Sequence, residues 1–505
     1  MKKQSAVKKY LAAHPNDFNE MMLAYVSELD MVSEVSPLVA SKIVSEVRNQ
    51  RSHLKLIASE NYSSPAVHLS MGNLLTDKYA EGFAYHRYYA GCENVDAIED
   101  YACKKACEVF GAEHAYVQPH SGADANLCAY WAILNATVQI PSLEEMGLPN
   151  SINMTREQWT TLRHKLGNQR LLGLDYFSGG HLTHGYRLNI SGQMFDSYSY
   201  SVNKETGLLD YDEILKQAMI VKPLILLAGY SAYPRKINFR KMREIADACG
   251  AVLMCDMAHF SGLVAGKVFE GDYNPVLWAD VVTTTTHKTL RGPRGGMILC
   301  KQKFADSVDQ GCPLVIGGPL PHVLAAKAVA LTEADTEEFR EYSRKIVENA
   351  KTLAQGFADE GLRLQTDGTD NHLMLLDVTS FGINGRQAES ALLECGIILN
   401  RNALPFDPNG VWYTSGLRIG TPALTTLGMG SKEMKEIASI ITFVLRNTRP
   451  AKITKGEKAG TLSRSKAVVD PIAKEQAYQR VQNLLSQFVL YPELDLEFLE
   501  ENFCK

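Results

Sequence analysis

The stretch VVTTTTHKTLRGPRGG, Val281–Gly296, sets one ammonium group, Lys288, between a run of threonines and a glycine-rich loop. β-Branched residues suit a buried strand, so Lys288 stands where a strand should stop. In a desolvated or cationic pocket a lysine loses part of its basicity and can form a Schiff base. A Schiff base to a pyridoxal ring also needs an acid beside the ring nitrogen, to keep the ring an electron sink. Asp256 closes the apolar run AVLMCD and fits that role by position. The same carboxylate also fits a turn cap. A phosphate needs N–H and O–H donors. PHSGADAN offers Ser121, Gly122 and the following amides where a helix should begin, which is a suitable anion cradle.

These groups require a scaffold that gathers strand ends. LILLAGY (224–230), AVLMCD (251–256), the VVTTTT run and GGMILC (295–300) are short apolar strands, and FRKMREIADACG (239–250) is an amphipathic helix between them. This texture predicts a mostly parallel sheet with helices on its faces. In such sheets ligands collect at the carboxyl ends of the strands, where Asp256 and Lys288 fall. Residues 95–110 predict a helix ended by Gly111, and a second helix follows HSGADAN. Residues 61–95 read as a long ordered loop, and 137–172 as a surface excursion. TEADTEEFREYSRKIVENAKTLAQGFADEG, from Thr332, reads as one long amphipathic helix. The helical periodicity before residue 50 fits either an arm against another subunit or a first helix. The expected division is a helical segment at 1–60, a large domain at 61–330 and a smaller α/β domain at 331–505.

The 505 residues exceed what one small core needs. A net charge of −5 and a charged content of 22% give no basic surface for nucleic acid. No apolar run reaches membrane-spanning length, and a cytoplasmic protein is expected. The ten cysteines include no CxxC and no zinc-like spacing, so reduced thiols and no metal are expected.

The motifs LIASEN (56–61), KYAEG (78–82), RYYAGCENVD (87–96), VQPHSG (117–122), GGHLTHG (179–185), DMAH (256–259), TTTTHK with GPRGG, GTDNH (368–372) and TSGLRIGTPA (414–423) occur in this order. Together they resemble serine hydroxymethyltransferases, pyridoxal-phosphate enzymes of the aspartate-aminotransferase-like fold, type I. The resemblance implies reversible transfer of the serine hydroxymethyl group to tetrahydrofolate, giving glycine and 5,10-methylenetetrahydrofolate through aldimine and quinonoid intermediates. It makes Lys288 the covalent anchor of pyridoxal 5'-phosphate and Asp256 the partner of the ring nitrogen. His181 stacks on the ring, Ser231 and His259 lie near its phenolic oxygen, and Ser121 and Gly122 touch the phosphate. Arg418 clamps the substrate carboxylate, a task suited to a planar guanidinium, with Ser59, Tyr89 and His287 also placed at the substrate. Glu81 is the proton-transfer carboxylate, with His259 and Thr285 as further catalytic residues. Glu81, Tyr88, Leu182 and Asn402 are the implied folate contacts. The resemblance also implies a homodimer with shared sites, in which Tyr79 and Gly317 reach the partner's cofactor phosphate. Pairing of dimers stays open.

Three positions depart from the family pattern. Ala123 and Asp124 replace residues usual at the phosphate cradle, LVIGG (314–318) replaces a more glycine-rich loop, and DYFSGG (175–180) puts Tyr176 near the expected folate site. Two other readings therefore remain: a folate-independent aldolase or racemase using the same cofactor, and a non-catalytic interaction protein of the same fold.

Overall fold

The computed structural model describes residues 5–457 and 459–504, so three residues of the basic start MKKQ and its first methionine lie outside it. Its largest sheet has seven strands. They are β1 (His114–Tyr116), β2 (Arg170–Leu174), β3 (Asp196–Tyr200), β4 (Ile225–Gly229), β5 (Val252–Asp256), β6 (Val281–Thr285) and β7 (Gly296–Cys300). The spatial order is β1-β7-β6-β5-β4-β2-β3. Strand β7 runs antiparallel to both its neighbours, while β6, β5, β4, β2 and β3 are mutually parallel. Alternate residues serve opposite cores, as strand periodicity demands. Leu226, Leu253, Cys255, Val282 and Met297 join one apolar cluster, and Ile225, Leu227, Met254, Val281 and Ile298 join another. Both faces are thus covered, which explains why these strands read as continuous apolar runs.

Helices α1 (Ala6–Ala13), α2 (Glu20–Val35) and α3 (Pro37–Ser52) open the described chain. Helices α4 (Glu93–Phe110) and α5 (Gly122–Leu134) pack on opposite faces of the sheet. Helices α6 (Pro321–Ala334) and α7 (Glu337–Asp359) follow it. A second core surrounds the antiparallel strands β8 (Leu373–Asp377), β9 (Asn400–Asn402) and β10 (Gly416–Gly420), ordered β8-β10-β9. Helix α7 serves both cores: Phe339 and Ile346 belong to the first, Leu353 and Phe357 to the second. The layout is the α/β architecture expected of fold type I, a large mostly parallel sheet with a smaller α/β unit. Before its end the chain forms α8 (Leu496–Phe503), whose Leu499 and Phe503 pack with Met22, Val26 and Leu29 of α2. The first helices therefore cover the chain's own C-terminal helix.

Two sequence expectations change. Leu171 and Leu172, placed at the end of a surface excursion, are buried in β2, an interior strand of the sheet. The strand was hidden by Gly173, where a Cβ would meet the His184 carbonyl at 2.7 Å; that close approach demands glycine. The excursion before it holds two helices, Ile140–Glu145 and Arg156–Gly167, the latter opened by a capping box from Thr155 and Gln158. The single long helix from Thr332 is two helices. Thr336 breaks it as the N-cap of α7, its hydroxyl accepting the Phe339 N–H at 3.2 Å.

Candidate active site

The parallel strands end on one rim, and that rim carries the chemistry. Asp256 is the last residue of β5 and lies in register with Thr283 of β6 and Gly229 of β4. Lys288 follows β6 by three residues, Ser231 follows β4 by two, and His181 sits on the loop after β2. Arg418 enters from β10 of the second core, and Ser59 from the segment before residue 61. They line a cavity of about 420 Å³ together with Ser121, Gly122, His259, Thr285, His287 and Arg294.

Asp256 is buried. Its Oδ2 accepts the Asn126 side-chain N–H at 2.9 Å and faces His184 Nε2 at 3.2 Å, and its Oδ1 accepts the Ala258 amide at 3.0 Å. Burial pushes this carboxyl up, but His184, His181 and Asn126 together outweigh burial and hold it below the usual carboxylate range. His184 Nδ1 accepts the His181 amide at 3.3 Å, which assigns its ring proton to Nε2, facing the aspartate. Burial pulls the Lys288 ammonium down to about 8 against the attraction of Asp256, with Arg418 and Arg294 pulling further. The lysine is a reachable amine near neutral pH, and the aspartate is a fixed anion.

A buried polar chain aims His181. Thr283 Oγ1 donates to Asn126 Oδ1 at 2.5 Å, Asn126 Nδ2 donates to Thr183 Oγ1 at 2.7 Å, and Thr183 Oγ1 lies 2.8 Å from His181 Nδ1. Burial lowers His181 to about 4, so the ring is neutral at pH 7. The sequence shows Asn126 within PHSGADAN and His184 within GGHLTHG but gives neither a role. The available signal was spacing: Asn126 lies about one turn into the helix that Ser121 caps.

Ser121 caps α5, its Oγ accepting the Asp124 amide at 3.1 Å. A Cβ on Gly122 would meet Thr285 Cγ2 at 2.6 Å, so only glycine lets the helix start this close to β6. The hydroxyl proton of Ser121 and the amides of Gly122 and Ala123 remain for an anion. Ala123 is exposed, and Asp124 lies 3.9 Å from His120 Nδ1. Arg418 Nη1 donates to the Ser231 carbonyl at 2.8 Å and to its hydroxyl at 3.2 Å, and its Nε donates to Asn400 at 3.1 Å. Burial lowers this guanidinium to about 10, still a cation. Ser231 Oγ also faces His259 Nε2 at 3.3 Å, and His259 Nδ1 faces His372 Nε2 at 3.2 Å. Of the two loop arginines, Arg294 lines the cavity, while Arg291 lies 4.5 Å over the Tyr342 ring.

Other expected residues stand apart within one chain. Tyr79, Glu81, Tyr88 and Tyr89 belong to a hairpin segment outside the cavity lining, with all three tyrosines exposed. Tyr79 packs 5.0 Å from Tyr89 and donates to Glu81 at 3.4 Å. Arg87 holds this segment: its Nη1 donates to the carbonyls of Ala80 and Gly82, on either side of Glu81, at 2.9 and 3.0 Å. The same guanidinium pairs with Asp96 at 2.8 Å and Glu99 at 2.7 Å in a buried network. Gly317 lies on the LVIGG loop, whose Gly318 is adjacent to Tyr79 and carries a carbonyl 3.1 Å from His120 Nε2. Leu182 is exposed beside His181, and Asn402 bonds its neighbour's carbonyl at 2.7 Å. Tyr176 packs on Phe177 and Tyr186 and lines an adjoining cleft that shares His181 with the cavity.

Comparison with known proteins agrees with this geometry. The family described as serine hydroxymethyltransferase matches residues 32–163 and 159–441. A serine hydroxymethyltransferase of Treponema pallidum (strain Nichols) is 59% identical over 502 residues, 99% of this chain and 87% of that protein. Proteins of the same name from Cutibacterium acnes and Salinispora tropica are 56% and 55% identical, covering 94% and 95% of this chain and 96% and 99% of their own lengths. With the family matched along most of its length and relatives this similar, the chain belongs to the serine hydroxymethyltransferase family.

Proposed function

We propose that this chain exchanges serine and tetrahydrofolate with glycine and 5,10-methylenetetrahydrofolate, using pyridoxal 5'-phosphate bound through Lys288. The observation that carries the reading is the meeting of Lys288, Asp256 and Arg418 in one cavity, from two strand ends and a second core. The donor set fits the cofactor. A buried ionised aspartate suits a protonated ring nitrogen, the capped start of α5 suits a phosphate, and His287, whose buried Nδ1 has no hydrogen-bond partner among the described residues, lines the same space. When bound, the cofactor supplies an electron sink for the pair released as a bond to the amino-acid α-carbon breaks.

The residues then have distinct tasks. Lys288, lowered to about 8, has a far larger uncharged fraction at neutral pH than an ordinary lysine; that fraction can add to an aldehyde, and the amine later competes with the product amine. Asp256 keeps a proton on the ring nitrogen because its own proton affinity is so low. His181 covers one face of the ring as a neutral imidazole. Arg418 holds the substrate carboxylate; among the described residues its Nη2 has no hydrogen-bond partner. Ser231, His259 and Thr285 fix the wall, Thr285 through the Ala258 carbonyl at 3.3 Å. Ser59 and His287 complete the substrate side.

Glu81 moves the proton at the serine hydroxyl, and Tyr88, Leu182 and Asn402 meet the folate. Glu81 lies outside the cavity of its own chain, so the proposal includes a homodimer in which each copy lends Glu81, Tyr79, Tyr89 and Gly317 to the other. We keep the division into a helical segment at 1–60, a large domain at 61–330 and a smaller one at 331–505; the cores follow it in outline, with Phe339 and Ile346 still in the first core and Leu54 and Leu56 in the second. None of the described helices is long and apolar enough to cross a membrane. Ten unpaired cysteines support placement in the cytoplasm.

The test is serine cleavage with and without tetrahydrofolate. Turnover should rise at least tenfold with folate; equal rates would remove the proposal. Sharing of sites is tested by mixing Lys288→Ala and Glu81→Gln chains. Mixed dimers should regain one intact site, and no recovered activity would rule sharing out.

A further inference from the structure

Lys327, on α6, is a cation that none of the roles above uses. It is 1% exposed. Its Nζ donates to the carbonyls of Val117 at 2.5 Å, Pro119 at 2.9 Å and Gly296 at 2.8 Å. An ammonium has three protons and no acceptor, so these bonds saturate it in its charged form. A neutral amine would turn a lone pair toward one of the carbonyls.

The three carbonyls belong to the two backbone segments that build the ends of the site. Val117 and Pro119 lead from β1 to the Ser121 cap, and Gly296 opens β7 directly after the Lys288 loop. Pro119 O also accepts the Gly296 amide at 2.9 Å. The glycine pair that ends RGPRGG makes this meeting possible. A Cβ on Gly295 would lie 2.4 Å from Lys327 Cε, and one on Gly296 would lie 2.1 Å from the Ser121 carbonyl. One turn along α6, Ala330 supports the same loop, its Cβ lying 2.9 Å from where a Gly292 Cβ would be.

Among the described residues no carboxylate pairs with Lys327. Glu99 and Asp124 act on it from further away, and Glu99 is already engaged by Arg87 and Gln118. Burial pulls the ammonium down to about 7, and a phosphate anion nearby would raise it again and hold the proton. A buried charge without a counter-ion is costly. The anion that the site is built to take is a phosphate at the start of α5, and Asp124 in that first turn already acts on Lys327.

We propose that Lys327 is a positioning residue that locks the phosphate cradle to the Lys288 loop and supplies the buried positive charge against which the cofactor's phosphate binds. The proposal rests on reading Ser121 and Gly122 as that cradle. It separates phosphate binding from ring binding, so the measurement compares pyridoxal 5'-phosphate with pyridoxal. Affinities for both are read from lysine-adduct absorbance in the full-length wild-type chain and in Lys327→Met, Lys327→Gln and Lys327→Arg.

Wild type should bind the phosphorylated form far more tightly. Lys327→Met and Lys327→Gln should narrow that gap about tenfold with pyridoxal affinity unchanged, and Lys327→Arg, which keeps the charge, should preserve it. Gln still donates two hydrogen bonds, and Gly295→Ala displaces the ammonium without removing it; both give the answer if the Met variant fails to fold. An unchanged gap, or equal losses for both ligands, overturns the proposal and leaves Lys327 a purely structural residue. A wild type with no preference for the phosphorylated form overturns the cradle reading itself.

Discussion

Replacing Asp256 by Asn separates the two roles of that side chain. The carboxylate accepts three N–H groups, from Asn126, His184 and the Ala258 amide. An asparagine has one oxygen and one NH2, so in either orientation its NH2 faces at least one of those donors. An unsatisfied buried donor costs about 1–3 kcal/mol, which should appear as a lower urea midpoint of the cofactor-free chain. The electrostatic role is larger. Opposite charges about 3 Å apart in an effective dielectric of about 20 attract by about 5 kcal/mol. Loss of that attraction at the ring nitrogen predicts a fall of about 10³- to 10⁴-fold in kcat for folate-dependent serine cleavage. The folded-state proton affinity of Asp256 lies below its unfolded value, so its stabilisation is fully present above about pH 4 and is lost only as pH falls into deep acid. Asp256's own contribution to the stability difference between wild type and variant should therefore stay flat above about pH 5. A kcat within tenfold of wild type would refute the ring-nitrogen assignment.

The remaining expectations are narrower. Capture of the cofactor by the cofactor-free chain requires the neutral amine of Lys288, so its rate should climb with pH and level off above a midpoint near 8; a rate still rising at the pH of an ordinary lysine, about 10.4, would contradict the burial argument. Gly122→Ala should weaken cofactor affinity by about 1–3 kcal/mol through overpacking, and Thr285→Ser, which removes the methyl it strikes, should restore most of that loss. No rescue in the double variant would mean that the helix start is not set by this contact. Arg87→Met leaves Glu99 buried without its cation, a cost of about 3–5 kcal/mol, and frees the carbonyls beside Glu81. Chemical denaturation should report the first effect and a reduced kcat the second; an unaltered kcat would argue against the Arg87 clamp on Glu81.

What the chain discloses in one dimension depends on the range of each interaction. Lys288 and Asp256 were legible because each ends a short apolar run, and the sheet's polarity then puts strand ends on one rim. Asn126 and Lys327 were not, because their partners lie 130 and about 200 residues away and neither breaks a local pattern. β2 escaped notice because its apolar run opens with Arg170 and is interrupted by Gly173. The break before α7 was missed because helical periodicity runs through it, although Thr336 is a capping residue. The hairpin carrying Glu81 was recognised through its motif alone. Its place outside the cavity is fixed by the Arg87 contacts to Ala80, Gly82, Asp96 and Glu99, which no spacing within the motif reveals.

The packing of α2 against α8 joins the first and last parts of the chain, and this sets an order in time. Met22, Val26 and Leu29 share an apolar cluster with Leu494, Leu499 and Phe503. During synthesis the early helices leave the ribosome with that face uncovered, and its cover follows only when residues 494–503 have been made. At about 5–20 residues per second the wait is roughly half a minute to a minute and a half. The strand pair of Leu54–Lys55 with Ile397–Ile398 waits in the same way. The large sheet, whose strands lie between residues 114 and 300, can close well before either end is secured. Truncating the last dozen residues would therefore strip the N-terminal helices of their cover while leaving every strand of the cofactor-binding sheet in place.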